Sequence, residues 1–237
     1  MSRSAAFLKE MGMWPVYRLR SFVAEPQFDN EKERTETAIL SSAADRRAEI
    51  ARMDWTQLKQ SVKHCTACGL RAGCTQTVFG VGDEKAQWLF VGEGPGAEED
   101  QRGEPFVGQA GRLLDNMLDA IGLKRGENAY IANIVKCRPP GNRNPEAAEA
   151  SACAPYLARQ IELIQPKVIV ALGKVAAANL LASDAPIGSL RGKVHDYRGI
   201  ALIATYHPAY LLRSLPDKAK AWADLCFARR TFIGMSS

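Results

Sequence analysis

The chain has 237 residues, 46% hydrophobic and 24% charged, with a formal net charge of +5 and an isoelectric point near 8.9. This is globular composition with apolar material for one substantial core, and the mild excess of Lys and Arg suits a polyanionic partner without requiring one. No apolar run reaches the roughly 20 residues of a membrane span, and the first residues lack the apolar stretch and small-residue cleavage site of a secretory signal, so a soluble, cytoplasmic protein is expected.

Residues 1–54 read as an extension. An apolar, aromatic start (Phe7, Leu8, Met11, Trp14, Tyr17, Leu19, Phe22) precedes a polar stretch from Asp29 to Arg52, which suits a linker or a solvated helix. A short amphipathic segment on a charged tether can dock on another protein or pack as a helix on its own domain, and the sequence leaves both open.

From Trp55 to the end, 55–237, short apolar runs alternate with helical patterns, the signature of a layered α/β domain with parallel strands. Strands are predicted at Gln87–Val91, Ala129–Val135, Lys167–Leu172 and Ile200–Thr205. Helices are predicted at Val107–Ile121, Pro145–Ile164, Gly173–Leu181 and Pro216–Arg230, with Pro145 and Pro216 where helix starts fall and Pro166 breaking the chain after Gln165. Three unusual segments follow strand ends, at Gly92–Gly96, Lys136–Pro145 and Tyr206–Arg213. Ligands of open α/β sheets bind outside the carboxyl ends of the strands, so the three converge on one predicted site.

Six cysteines in a chain expected to stay reduced point to a metal site before disulfides. Cys65 and Cys68 form a C-x2-C pair and Cys137 and Cys153 a C-x15-C pair. Four thiolates suffice for one tetrahedral zinc or one cubane cluster; ligand chemistry does not separate the two, and frequency favours zinc. Cys74 and Cys226 are left as buried or half-buried thiols.

The Gly92-Glu93-Gly94-Pro95-Gly96 run allows close backbone approach and free N–H groups, yet it is neither a dinucleotide fingerprint nor a P-loop. Gly173-Lys174 and Gly192-Lys193 lack the rest of a P-loop, so nucleotide cofactors are disfavoured. Phe106 offers a stacking face or a core side chain. Asn133, in a very apolar strand, carries an amide that is costly to bury unless its donor and acceptor are both met. His207, beside Pro208 at a strand end, is a catalytic candidate, and Tyr210, Leu211, Leu212 and Arg213 place apolar groups and a cation on one loop, as a DNA wedge or an ordinary helix start would.

Five motifs in order, C-x2-C from Cys65, GEGPGAEED from Gly92, PFVGQAG from Pro105, NIVKCRPPGNR from Asn133 and HPAYLLR from His207, closely resemble the iron–sulfur uracil-DNA glycosylases of family 4. The resemblance spans about residues 55–230. It implies a three-layer α/β/α sandwich around a central, mainly parallel four-stranded sheet. It also implies a [4Fe–4S] cluster on Cys65, Cys68, Cys137 and Cys153, replacing the lean to zinc. The implied uracil pocket comprises Gly92, Glu93, Gly94, Phe106 as the stacking ring, Asn133 as reader of the base edge and His207 at uracil O2.

That reading gives a monomer acting on uracil-containing DNA, single- or double-stranded, with His207 stabilising the departing uracil anion and Glu93 as base or pocket organiser. Tyr210, Leu211 and Arg213, with Arg138 and Arg143 on the preceding loop, are the expected DNA contacts. Glu98 or Glu99 is the expected block against thymine. No lysine falls in the implied pocket, so no lyase step is expected. The rivals are a binding module that has lost catalysis and a related glycosylase with another base preference.

Overall fold

The computed structural model describes residues 3–12 and 44–235. The chain divides into two units, Met1–Ala44 and Asp45–Ser237. The first holds helix α1 (Arg3–Glu10), with Phe7 and Met11 exposed. The stretch from Trp14 to Phe22, and most of the polar stretch from Asp29, lie outside the described residues; residues 44–50 of that polar stretch are helical (α2).

The second unit begins at Asp45 and not at Trp55, because Ile50 is buried against Leu58, Val62 and Tyr156. Helix α3 (Trp55–Lys63) starts from a reciprocal cap. The Gln57 amide donates to Asp54 Oδ1 (2.8 Å) and the Asp54 amide to Gln57 Oε1 (3.0 Å), meeting two donors that a helix start leaves free.

Six strands form one sheet: β1 (Val81–Gly82), β2 (Trp88–Gly92), β3 (Ala129–Asn133), β4 (Val168–Leu172), β5 (His195–Tyr197) and β6 (Ile200–Thr205), in the order β1-β3-β2-β4-β6-β5. The four expected strands are its parallel core, and β1 and β5 add antiparallel edges. Two- and three-residue strands are too short to show a period, so sequence patterning passes over them.

Alternation along the core strands sorts side chains to two faces. Trp88, Phe90, Ile131, Val170 and Ile203 pack with Leu114 and Leu118 of α6 (Gln109–Ala120) and with Leu225 and Ala228 of α11 (Asp217–Gly234). Leu89, Val91, Ile169 and Leu202 pack on the other side with Leu157 and Ile161 of α7 (Ala147–Ile164) and Ala176 and Ala177 of α8 (Lys174–Leu181). The result is the expected α/β/α sandwich, its core strands buried on both faces as parallel strands must be.

Short helices α4 (Leu70–Gly73), α5 (Ala97–Arg102), α9 (Ile187–Leu190) and α10 (Pro208–Leu211) fill the connections. Among the described residues no helix is long and apolar enough to cross a membrane. In the parallel register Gly92 pairs with Asn133 and Leu172 with Thr205, so all four carboxyl ends share one edge of the sheet. The strand order reverses between β2 and β4, and the crevice such a reversal opens is where α/β sheets bind ligands.

Candidate active site

A cleft of about 520 Å³ lies over that edge, lined by Glu93–Gly96 after β2, Pro139 and Asn142–Asn144 after β3, Gly173–Val175 after β4, and His207, Ala209, Tyr210 and Arg213 after β6. Glu99, Phe106 and Ala110 complete its walls. The three segments expected to converge do so, and β4 contributes a fourth.

Gly92 keeps the floor open. A Cβ there would stand 2.5 Å from Asn133 Oδ1 and 2.6 Å from the Phe106 ring, so only glycine lets amide and ring approach the strand end together. Asn133 is 2% exposed, and its Oδ1 is a buried side-chain oxygen without a hydrogen-bond partner among the described residues. An unmet buried acceptor costs about 1–3 kcal/mol, which a ligand donor can recover.

Phe106 sits in the left-handed region, at φ 55°, an uncommon and strained place for a bulky residue. Remote side chains hold it there. Arg125 donates to the carbonyls of Pro105 (2.9 Å) and Phe106 (2.8 Å) while pairing with Asp115. On the other side, Glu99 accepts from the amides of Gly96 (3.1 Å), Val107 (2.9 Å) and Gly108 (3.1 Å), fixing the turn that carries the ring. Of the two glutamates considered as a block against thymine, Glu99 lines the cleft, whereas Glu98 lies against Gly108.

His207 faces Phe106, ring centroids 5.5 Å apart and tilted by 30°. It caps α10, its Nδ1 accepting the Ala209 amide (3.1 Å), so the neutral ring carries its proton on Nε2. Burial, reinforced by the Arg213 cation, pulls its pKa down to about 4, with Glu99 opposing weakly. At neutral pH the imidazole is therefore an uncharged donor. Gly173, with φ +91°, admits His207, whose Cβ would lie 2.9 Å from a Cβ at that position.

The loop behind His207 is braced. The Tyr210 hydroxyl donates to Asp217 (2.6 Å), its ring stacks on Tyr206 at 5.1 Å, and Arg191 lies over Tyr206 at 4.6 Å. Leu211, expected to face DNA, is instead 1% exposed, because the single turn of α10 rotates it into the protein. The exposed large side chains with apolar surface here are Tyr210, Leu212 and Leu215.

Glu93 lines the cleft with its carboxyl pKa raised by burial, and its carboxylate makes no side-chain hydrogen bond or ion pair with a described residue. Arg213 is exposed at the rim. Arg143 also lines the cleft but is held bidentately by Glu149 (2.7 and 2.8 Å) and reached by Glu146 (3.3 Å), while Arg138 binds Asn142 (2.7 Å) and stands outside the lining. Lys174, noted in the sequence only as part of a failed P-loop, is on the wall and exposed.

Cys65, Cys68, Cys137 and Cys153 line one enclosed cavity with apolar side chains such as Val62, Leu70 and Val135. Burial raises the Cys137 thiol pKa, and Cys74, Cys153 and Cys68 add to the effect; for Cys153 burial again leads, opposed by Lys136. Cys74, set aside in the sequence, thus lies beside Cys137 as a fifth sulfur. Among the described residues no three His, Cys, Asp or Glu side chains are grouped to hold a single metal ion. Three cations stand by the cavity: Lys136 and Arg71 on its wall and Arg46 beside Cys65. Lys136 is buried on its wall, its pKa pulled down to about 8 by burial, and Arg46 of α2 reaches Cys65 Sγ (3.7 Å) and the Ala152 carbonyl (2.9 Å) across the Tyr156 ring.

Fold and cleft define a doubly wound α/β protein that gathers an aromatic ring, a buried carboxamide and a neutral imidazole at one edge of its sheet. A family model described as the Uracil DNA glycosylase superfamily matches residues 79–226. The chain is 47% identical over 161 residues to the type-4 uracil-DNA glycosylase of Archaeoglobus fulgidus, covering 65% of this chain and 80% of that protein. It is 47% identical over 165 residues to the type-4 uracil-DNA glycosylase of Thermotoga maritima, covering 69% and 85%. A type-5 uracil-DNA glycosylase of Pyrobaculum aerophilum is 33% identical over 146 residues, covering 55% and 64%. The chain belongs to the uracil DNA glycosylase superfamily and, within it, to the type-4 group.

Proposed function

We propose that this protein is a monofunctional uracil-DNA glycosylase, which takes uracil out of DNA, hydrolyses its N-glycosidic bond and leaves an abasic site for base excision repair. Membership of the type-4 group supports the uracil-excising activity. The observation that carries the base assignment is the unmet Asn133 Oδ1 beside Phe106. Uracil N3–H supplies the donor that this oxygen lacks and the Phe106 ring stacks on the base, whereas cytosine presents an acceptor at N3 and leaves the amide unpaired.

Extruding the base costs a few kcal/mol, and the exposed Leu212 takes the wedge role in place of Leu211, with Arg213 and Lys174 on phosphate. As the glycosidic bond breaks, negative charge grows on uracil O2, and His207 Nε2–H donates to it without first losing a proton. Glu93 orients the attacking water from a half-buried carboxylate. Glu99, locked by three backbone amides, forms a rigid wall against the methyl group of thymine.

The four cysteines suit a [4Fe–4S] cluster: the donors are all sulfur, the wall is apolar, and a buried lysine stands beside them without a carboxylate partner among the described residues. Bound there, the cluster supplies a structural cross-link from the segment before β2 to the loop and helix after β3.

The test is release of free base from matched oligonucleotides carrying one uracil, thymine or hypoxanthine, with borohydride present in a parallel reaction. Release of uracil alone and no protein–DNA adduct are expected. No release from protein with its iron and sulfide fully loaded would leave the binding-module reading in its place, and an adduct would turn attention to Lys174.

A further inference from the structure

Lys136 has no part in the scheme above, yet its surroundings are unusual. It is 2% exposed, and its Nζ donates to the main-chain carbonyl of Asn133 (3.0 Å) and to Gln160 Oε1 (2.6 Å). Gln160, wholly buried on α7, donates in turn to the Phe79 carbonyl (3.0 Å) and to the Tyr130 hydroxyl (3.4 Å). The Lys136 carbonyl accepts the Val78 amide (2.7 Å). Both acceptors of the ammonium are neutral, and Lys136 shares the wall of the cysteine cavity with Cys153.

A methionine would fill this space without the cost of burying an ammonium, so packing alone does not explain a lysine here. What the ammonium does that a thioether cannot is hold the carbonyl of the residue whose side chain meets the base. Asn133 ends β3; past it the Ile134 and Val135 amides still donate to the carbonyls of Gly92 (3.0 Å) and Glu93 (3.2 Å), and Lys136 holds the Asn133 carbonyl from the side of the cysteine cavity. Gln160 fixes the ammonium from α7, the helix that carries Cys153.

We propose that Lys136, held by Gln160, is a positioning residue that sets the orientation of the Asn133 carboxamide toward the base edge and ties the base reader to the cysteine-lined wall. This rests on Asn133 reading uracil as proposed above. Lys136 acts through Asn133 and touches no reacting atom.

The experiment is a double-mutant cycle on the full chain with its cluster loaded, using wild type, Lys136→Met, Asn133→Ala and the double variant. Single-turnover release of uracil is measured at saturating enzyme, with DNA affinity from fluorescence anisotropy and cluster content from visible absorbance alongside. Lys136→Met is expected to slow release roughly 10- to 100-fold, as loss of a supporting hydrogen bond does at other sites, with DNA affinity unchanged. It should slow the Asn133→Ala protein no further, because coupled residues are non-additive whereas independent damage multiplies.

Gln160→Leu, measured in the same way, serves if Lys136→Met fails to retain the cluster, and should give a smaller loss that also vanishes in the Asn133→Ala background. A wild-type rate for Lys136→Met, or losses that multiply in the double variant, would overturn the proposal. The underlying reading fails separately and visibly, if wild type releases no uracil or if Asn133→Ala releases it at the wild-type rate.

Discussion

The two aromatic walls of the cleft are built in opposite ways. His207 is placed by its own neighbourhood: it follows β6, caps α10 through the Ala209 amide two residues on, and fits against Gly173. Phe106 is placed from afar, in a strained backbone conformation, by Arg125 nineteen residues away and by Glu99 across the turn. A ring nitrogen can thus be aimed by its own short motif, while a ring on strained backbone depends on a second motif, through Glu99, and on Arg125, which no motif contains.

Removing the locally placed group gives the largest effect. His207→Ala should reduce single-turnover uracil release by about 10²–10³, the usual range for one preorganised donor to a developing anion, with DNA binding close to wild type. A loss below about tenfold would mean that charge on O2 is met chiefly by other groups, such as backbone amides near Gly94.

Undoing the remote placement comes next. Arg125→Met leaves the Pro105 and Phe106 carbonyls without their clamp, and Phe106 should relax toward an ordinary conformation. Uracil release should slow by roughly 10- to 100-fold, since small misplacements at a reacting centre are costly, and stability should fall by about 2 kcal/mol for the lost charged hydrogen bonds. Single-turnover rates and denaturant melts measure the two; an unchanged rate beside a lowered midpoint would show that Glu99 holds the ring unaided.

The smallest effect sharpens the contrast through acid. Unfolded, His207 takes up a proton near pH 6.5; folded, it does so only near 4. Between those values the unfolded chain binds more protons, so this group's contribution to stability is complete above pH 6.5 and is lost as pH falls toward 4. Differential scanning should therefore find the wild-type advantage over His207→Ala shrinking from pH 7.5 to 4.5. A constant gap would mean that His207 is better solvated in the fold than its surroundings suggest.

What was legible in the sequence follows the same division. Four strands, the helices around them and the convergence of loops at one sheet edge were read from apolar runs of five or six residues, which record burial directly. The cysteines, Phe106, Asn133 and His207 were legible because unusual residues stand at strand ends or in fixed spacings. Arg125, Gln160 and Lys136 were not. Their meaning lies in bonds to groups that only the folded chain brings near, and an arginine, glutamine or lysine in a helical or loop segment reads as surface. Leu211 and Leu212 show a finer limit, since adjacent leucines in a single helical turn face opposite ways, and only the packing decides which.

Ile50 and Arg46 bear on how the protein is to be handled as a piece. Both precede Trp55, where the recognisable motifs suggest trimming, and residues 79–226 mark the match to the superfamily. A fragment cut at Trp55 would keep every motif but uncover Leu58, Val62 and Tyr156 and strip the guanidinium from Cys65, leaving that side of the cysteine cavity open to solvent. The serviceable start for an expression fragment is therefore Asp45, so that the first helical turn inside the compact unit travels with the cysteine it shields.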